Sequence, residues 1–273
     1  MEDITAEYPA EQLAPPIELH TRIATTVAAK TDLGCVRENN EDKFEFFIPE
    51  VDSELAAKGH IYLVCDGMGG HNAGQFASEL TCKTFIDVYR NHPSSLVDVA
   101  ATSATLAANR FVRDVGLAVP SRRNMGTTLT GLLLVQDKGY IVQVGDSRLY
   151  RMRNGETEQL TRDHTWVEDV VSQGMMTREE AEQHPYKHVI TKAIGPDGDP
   201  TPDIIPIDLA LDDVFLLCSD GLSNHVKIER IHEVLSQHAP SMACWQLVND
   251  ALADGGSDNC TALIVRIDGL SPA

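Results

Sequence analysis

Basic residues are scarce in this chain. Lys and Arg total 22 against 41 Asp and Glu, and the formal net charge is −19 over 273 residues. Nucleic acid and anionic membrane surfaces both call for a basic footprint, so neither is an expected partner. Paired cysteines are also missing. Cys35, Cys65, Cys82, Cys218, Cys244 and Cys260 form no CxxC motif, and no His/Cys spacing reads as a zinc site. Cys65 and Cys218 lie inside apolar runs, where a free thiol behaves as a small core hydrophobe. Reduced thiols and a cytoplasmic location are therefore expected. No run approaches the roughly 20 apolar residues of a membrane span. The first residues are acidic without an apolar stretch, so no signal peptide is expected. The glycine-rich stretch Asp66–Gly70 is not followed by Gly-Lys-Ser/Thr, which argues against a nucleotide P-loop. No internal repeat and no domain linker is visible.

What is present is a set of aspartates at the ends of apolar runs. Ile61–Cys65 runs into Asp66-Gly67-Met68-Gly69-Gly70, and Val214–Cys218 into Ser219-Asp220-Gly221. Tyr140–Val144 runs into Gly145-Asp146-Ser147, and Ser257-Asp258-Asn259 comes just before Thr261–Val265. Strand ends are rigid, and small residues beside them let a ligand approach the backbone. Carboxylates delivered this way, without matching lysines or arginines, suit a hard metal cation. Each piece alone also has a plain reading, because Asp-Gly is common turn chemistry.

Residues 1–22 are acidic, contain three prolines and lack periodicity, so they read as a flexible acidic N-terminal arm. A catalytic domain is expected over residues 23–268. Thr25 to Thr31 and Lys43 to Ile48 read as strands, and Ala73 to Arg90 as a helix. Ser94 to Leu117 reads as a second helix, capped by Ser94 or Ser95. From Gly126 onward short strands follow one another, with Asn154-Gly155 as a hairpin signal. Residues 164 to 195 are polar and helix-prone, and read as an excursion on the surface. Two amphipathic helices, Ile228 to Gln237 and Met242 to Leu252, precede a closing strand. Consecutive strands rather than βαβ alternation, with two helix pairs, predict an α+β protein with helices on both faces of an antiparallel sandwich.

Two hard cations about 4 Å apart can share a water and bring its pKa towards neutral, making it a nucleophile for in-line attack on phosphorus. Asp66, Asp220 and Asp258 are best placed for such a centre, with the Gly67 carbonyl as a further oxygen. Glu41-Asp42 precedes another strand and adds direct or water-mediated carboxylates. Arg37 lies just ahead of that pair, and a guanidinium can hold two phosphate oxygens at once. Taken alone, Arg37 reads more readily as a surface ion pair with Glu38 or Glu41, since such pairs are common.

The motifs together resemble one family, the metal-dependent serine/threonine phosphatases of the protein phosphatase 2C (PPM) type in their compact bacterial form. They are Gly34–Asp42, Val64–His71, Met125–Leu129, Val144–Arg148, Leu217–Leu222 and Gly256–Thr261, in order along the chain. The resemblance implies a four-layer α-β-β-α sandwich with two central antiparallel sheets and a metal centre at one end. It implies manganese or magnesium, with two ions in the core centre. Asp66 and the Gly67 carbonyl would stand between them. Asp220 and Asp258 would complete one shell, and Glu41 and Asp42 would serve the other, largely through water. Asp146, with Asp220, resembles the ligands of a third, weaker ion. Arg37 would grip the phosphate. Residues 164–194 would correspond to the family's variable flap.

The resemblance leaves the proton donor open. The eukaryotic branch carries a histidine directly after the Asp-Gly pair, where this chain has Met68. His71 is the nearest candidate, and a histidine titrates in the right range. It reads equally as a solvent-facing loop residue near a metal-bound water. The expected activity is single-step hydrolysis of phosphoserine and phosphothreonine in proteins by a metal-bridging hydroxide, with no phosphoenzyme. Phosphorylated proteins are the expected partners, with a Ser/Thr kinase opposing the enzyme in bacterial signalling. A non-catalytic binding module on the same fold would be expected to lack a core carboxylate, and this chain keeps them all.

Overall fold

The computed structural model describes residues 17–69, 72–196 and 198–273. Most of the expected acidic arm, residues 1–16, lies outside the described residues, and so does His71.

The apolar runs become strands because both of their faces are covered. In β3 (His60–Met68), Ile61, Leu63 and Cys65 point to one apolar layer while Tyr62 and Val64 point to another. β10 (Val214–Cys218) divides the same way, with Leu216 and Cys218 on one side and Phe215 and Leu217 on the other. A strand alternates its side chains, so a run buried on both faces is continuously apolar.

One sheet has the order β1-β11-β10-β7-β8, formed by β1 (Thr21–Asp32), β11 (Cys260–Pro272), β10, β7 (Arg148–Arg153) and β8 (Glu156–Gln159). The other has the order β2-β3-β5-β6-β9, formed by β2 (Asp42–Phe47), β3, β5 (Leu129–Val135), β6 (Lys138–Val144) and β9 (Asp203–Asp208). The short β4 (Gly126–Thr127) pairs with β3 beyond that path. All pairings are antiparallel. Asn154 and Gly155 turn β7 into β8 with φ of 52° and 80°, the left-handed pair that a two-residue hairpin needs.

Three apolar layers hold the sandwich together. Helices α2 (Ala73–Asn91) and α3 (Val97–Ala118) cover one sheet through Phe85, Ala101 and Val112. Helices α7 (Ile228–Gln237) and α8 (Pro240–Ala253) cover the other through Ile231, Val234 and Leu247. Tyr62, Leu132, Phe215 and Leu263 fill the space between the sheets. This is the expected α-β-β-α sandwich.

Two local readings need correction. Helix α3 starts at Val97 after Leu96, with no side-chain cap. The Ser94 hydroxyl instead accepts the Leu96 N–H, closing a turn ahead of the helix. The segment from 164 is not simply a surface excursion. His164, Thr165, Val167 and Ala181 are buried, and bridges Thr165–Ile190 and Thr127–Ile194 tie both of its ends down. Its helices are α4 (Trp166–Ser172) and α5 (Arg178–Glu182), the latter opened by a capping box from Thr177 and Glu180. Two further helices, α1 (Asp52–Lys58) and α6 (Asp220–Ser223), carry little sequence signal because they are so short. All six cysteines are free, and only Cys35 is exposed. Among the described residues, no helix is long and apolar enough to cross a membrane.

Candidate metal and phosphate site

Asp66 continues the alternation of Tyr62 and Val64, so the layer between the sheets ends in a carboxylate. Its main chain is clamped by the next strand. The Asp66 N–H donates to Thr128 Oγ1 at 2.9 Å, and the Asp66 carbonyl accepts from Thr127 Oγ1 at 2.8 Å and from the Thr128 N–H at 2.9 Å. Gly67 follows because nothing larger fits: a Cβ there would lie 2.2 Å from the Gly74 carbonyl oxygen and 2.5 Å from that of Glu41. Asp220 opens α6 directly after β10, Asp258 precedes β11, and Asp146 sits in the turn between β6 and β7.

These strand ends converge on a cleft of about 200 Å³. Its walls include Glu41, Asp66, Asp146, Asp220 and Asp258, with Gly67 and Arg37. Asp42 is the one carboxylate of the expected set that does not line it. It pairs across the sheet with Asp66 and is buried. Its Oδ2 accepts from Ser219 Oγ at 2.6 Å and from Thr261 Oγ1 at 2.7 Å. Arg37 is half exposed and donates to Asp258 Oδ2 at 2.6 Å, rather than pairing with Glu38 or Glu41.

So many carboxyls in one place hold on to protons. Burial, and then Asp42, Asp220, Asp146 and Asp258, push Asp66 well above the usual carboxylate range. Burial, and then Asp220 and Asp163, push Asp146 up to about 7. Burial pushes Asp42 up to about 7 against the pull of its two hydroxyl donors. Asp220 is raised by burial and by Asp258. Glu41 is raised by burial, with Arg37 pulling the other way. Like charges gathered out of water disfavour ionisation unless a cation answers them.

The donor set fits hard divalent cations. Glu41 Oε1 and Asp42 Oδ1 are buried without a hydrogen-bond partner among the described residues. Every charged oxygen here is a carboxylate, the ligand type of magnesium and manganese. Among the described residues, no three His, Cys, Asp or Glu side chains close into a ready-made cage. An open ring of carboxylates suits ions that keep several waters.

Asn259 is a site residue that sequence reasoning passed over. Its Oδ1 accepts the Glu41 N–H at 2.7 Å, and its Nδ2 donates to the carbonyls of Leu33 and Asn39, both at 2.9 Å. It thereby fastens the loop that carries Arg37 to the start of β11. His164 is another. Its Nδ1 accepts the Gly145 N–H at 3.1 Å, which leaves the proton on Nε2, 3.0 Å from Asp203 Oδ2. The only sequence signal for Asn259 was its place in the Gly256–Thr261 motif, and for His164 its place at the start of the 164–194 segment.

A second opening, about 630 Å³, adjoins the cleft and shares Asp146, His188 and Asp220 with it. Lys187, Arg178 and Lys227 are among its other walls.

Fold and site define a class: an α-β-β-α sandwich with a carboxylate-lined cleft at the end of its two sheets. The family model for protein phosphatase 2C matches residues 38–254. The serine/threonine protein phosphatase PstP of Mycobacterium tuberculosis is 34% identical over 241 residues, covering 88% of this chain and 44% of PstP. The chain thus spans less than half the length of that relative. The serine/threonine phosphatase stp of Listeria innocua is 33% identical, covering 87% of this chain and 94% of its own. Among solved structures, the S. agalactiae serine/threonine phosphatase superposes with a TM-score of 0.82 at 31% identity, covering 89% of this chain and 100% of that one. The catalytic domain of PstP in complex with two manganese ions superposes at 0.78 with 32% identity, covering 91% and 100%. The chain belongs to the protein phosphatase 2C family, in its bacterial serine/threonine phosphatase branch.

Proposed function

We propose that this protein removes phosphate from phosphoserine and phosphothreonine in proteins, in one hydrolytic step that depends on Mn²⁺ or Mg²⁺. The observation that carries this reading is the convergence of five carboxylates and one arginine on a single small cleft. Asp66, the Gly67 carbonyl, Asp220 and Asp258 would hold the two core cations, with Glu41 facing the cleft and Asp42 beside Asp66 on the neighbouring strand. Asp146 and Asp220 offer a place for a third. Bound there, the cations supply an acidified water as nucleophile and neutralise charge on the phosphoryl oxygens.

The chain's own groups do the rest. Arg37 exchanges its Asp258 partner for the phosphoryl oxygens, where a guanidinium can make two parallel hydrogen bonds. No side chain takes the role of covalent nucleophile. Thr128 lines the cleft, but its hydroxyl already accepts the Asp66 N–H and lies 2.7 Å from Ser147 Oγ. Cys65 is fully buried, and burial keeps its thiol protonated. The protein relatives are named as serine/threonine phosphatases, which supports phosphoproteins as the substrate class; an opposing Ser/Thr kinase and a cytoplasmic setting are parts of the same proposal.

The test is phosphate release from a phosphothreonine peptide with manganese and with chelator. Asp220→Asn should abolish it, leaving the circular dichroism spectrum unchanged. Full activity in that variant would remove the metal assignment.

A further inference from the structure

We propose that His188, on the flap, is the group that hands a proton to the leaving serine or threonine oxygen. This rests on the phosphatase reading above.

In-line displacement puts the leaving oxygen opposite the attacking water. In this cleft the inner end is Asp66, clamped to β4 and β5, so the leaving oxygen and the peptide attached to it face the opening. His188 stands at that opening, for it lines both the cleft and the larger groove beside it. The phosphate is held in the cleft, and the groove is the space next to it large enough for a polypeptide. The bond to be broken therefore spans the place where His188 is found.

Elimination among the cleft walls leads to the same residue. Five walls are carboxylates assigned to cations, and Arg37 does not release its proton. Asn259 and the Thr128 hydroxyl are engaged in hydrogen bonds that hold the main chain. Among the described residues that line the cleft, His188 is the one imidazole. Met68, directly after Asp66-Gly67, has no proton to give.

The flap fixes the main chain that carries His188 at the opening. Two successive turns bracket it, Lys187 N–H to the His184 carbonyl at 3.1 Å and Val189 N–H to the Tyr186 carbonyl at 3.0 Å. The Trp166 N–H donates to the Val189 carbonyl at 2.8 Å, and Thr165 bridges to Ile190. His164 then connects the segment to Gly145, the neighbour of Asp146, through its own N–H to the Gly145 carbonyl at 2.9 Å. Trp166, His184 and Tyr186 pack against one another in tilted and edge-on arrangements at 5.0 to 5.9 Å between ring centres.

The water oxygen bonds to phosphorus and its proton passes to solvent. The bond from phosphorus to the side-chain oxygen breaks with its electron pair on oxygen. The imidazolium proton of His188 moves to that oxygen, giving the free hydroxyl, and solvent reprotonates the ring. An alkoxide leaving group needs this proton, whereas a nitrophenolate does not.

The experiment compares His188→Asn with the wild type on a phosphothreonine peptide and on p-nitrophenyl phosphate, both with saturating manganese. The expected result is a fall in kcat of about 100-fold on the peptide with KM unchanged, and near wild-type turnover of p-nitrophenyl phosphate. Equal losses on both substrates would overturn the proposal in favour of a structural role. A raised KM with unchanged kcat would overturn it in favour of peptide docking. The selective loss appearing in His71→Asn instead would transfer the role to His71. Inactivity of the wild type on both substrates would overturn the phosphatase reading itself, and this proposal with it.

Discussion

Arg37 illustrates how one residue can serve two partners. Its guanidinium rests on Asp258 and is half exposed, so it is held near the cleft without being buried. A lysine there would keep the charge and lose the planar fork. Arg37→Lys should lower kcat/KM for a phosphopeptide by about 100-fold, the scale of losing one well-aimed donor to a developing oxyanion. Steady-state kinetics at saturating manganese will measure it.

A second residue-scale consequence lies away from the cleft. His60 is 3% exposed, its Nδ1 lies 3.1 Å from the Tyr62 hydroxyl, and burial holds its pKa down to about 4. The unfolded chain takes up this proton near pH 6.5, well before the folded one does. His60 therefore carries no penalty above that pH, and stability is lost as pH falls from there towards 4. The loss attributable to it is about 2 kcal/mol by pH 5. Urea denaturation at pH 7 and pH 5 should show a correspondingly smaller pH effect in His60→Gln.

At the scale of elements, the cleft depends on loops being fastened to strands. The stretch from Leu33 to Glu41 has little regular structure of its own, yet it carries Arg37 and Glu41. Asn259 gives it three hydrogen bonds from one buried amide. Asn259→Ala would leave one N–H and two carbonyls without that partner, at about 2–3 kcal/mol of stability. Equilibrium denaturation with an unchanged slope on denaturant should show the loss, together with weakened phosphopeptide turnover. Motif reading captured Asp258 and Asn259 as a pair, but only the carboxylate had a chemical role to suggest. The amide's function lies in contacts more than 200 residues away in sequence. The same limit explains the start of α3. A serine before a helical stretch is a sound cap signal, and here the hydroxyl was used one turn earlier.

At the scale of the whole molecule, the carboxylate cluster works against the fold that carries it. Desolvated like charges raise one another's pKa, and near neutral pH that repulsion is relieved either by protons or by cations. Cations that bind only the folded state add stability by mass action, about 2.7 kcal/mol at a hundredfold excess over Kd. For a domain of this size that is a rise in Tm of about 5–10 °C. Thermal melts at pH 7.5 should show this rise with manganese and its loss with chelator. In chelator, Asp220→Asn should melt higher than the wild type, because it removes one of the opposed charges. Unmoved melting temperatures would count against cation binding at this cluster.

By itself the sequence determined which side chains are available for chemistry. The carboxylates, Arg37 and the small residues beside them were legible because strands alternate and glycine marks close approach. It also pointed to the layered architecture, since consecutive apolar strands without βαβ alternation, together with two helix pairs, suit antiparallel sheets covered by helices. Tertiary structure alone decided which of those residues share a cleft. It put Asp42 behind Asp66 under two hydroxyls, turned Arg37 onto Asp258, and brought a flap histidine, distant in sequence, to the cleft opening. The physical reason is that local pattern fixes the direction of a side chain from its own backbone. Distances between chain segments are fixed only when the two sheets close on their common core.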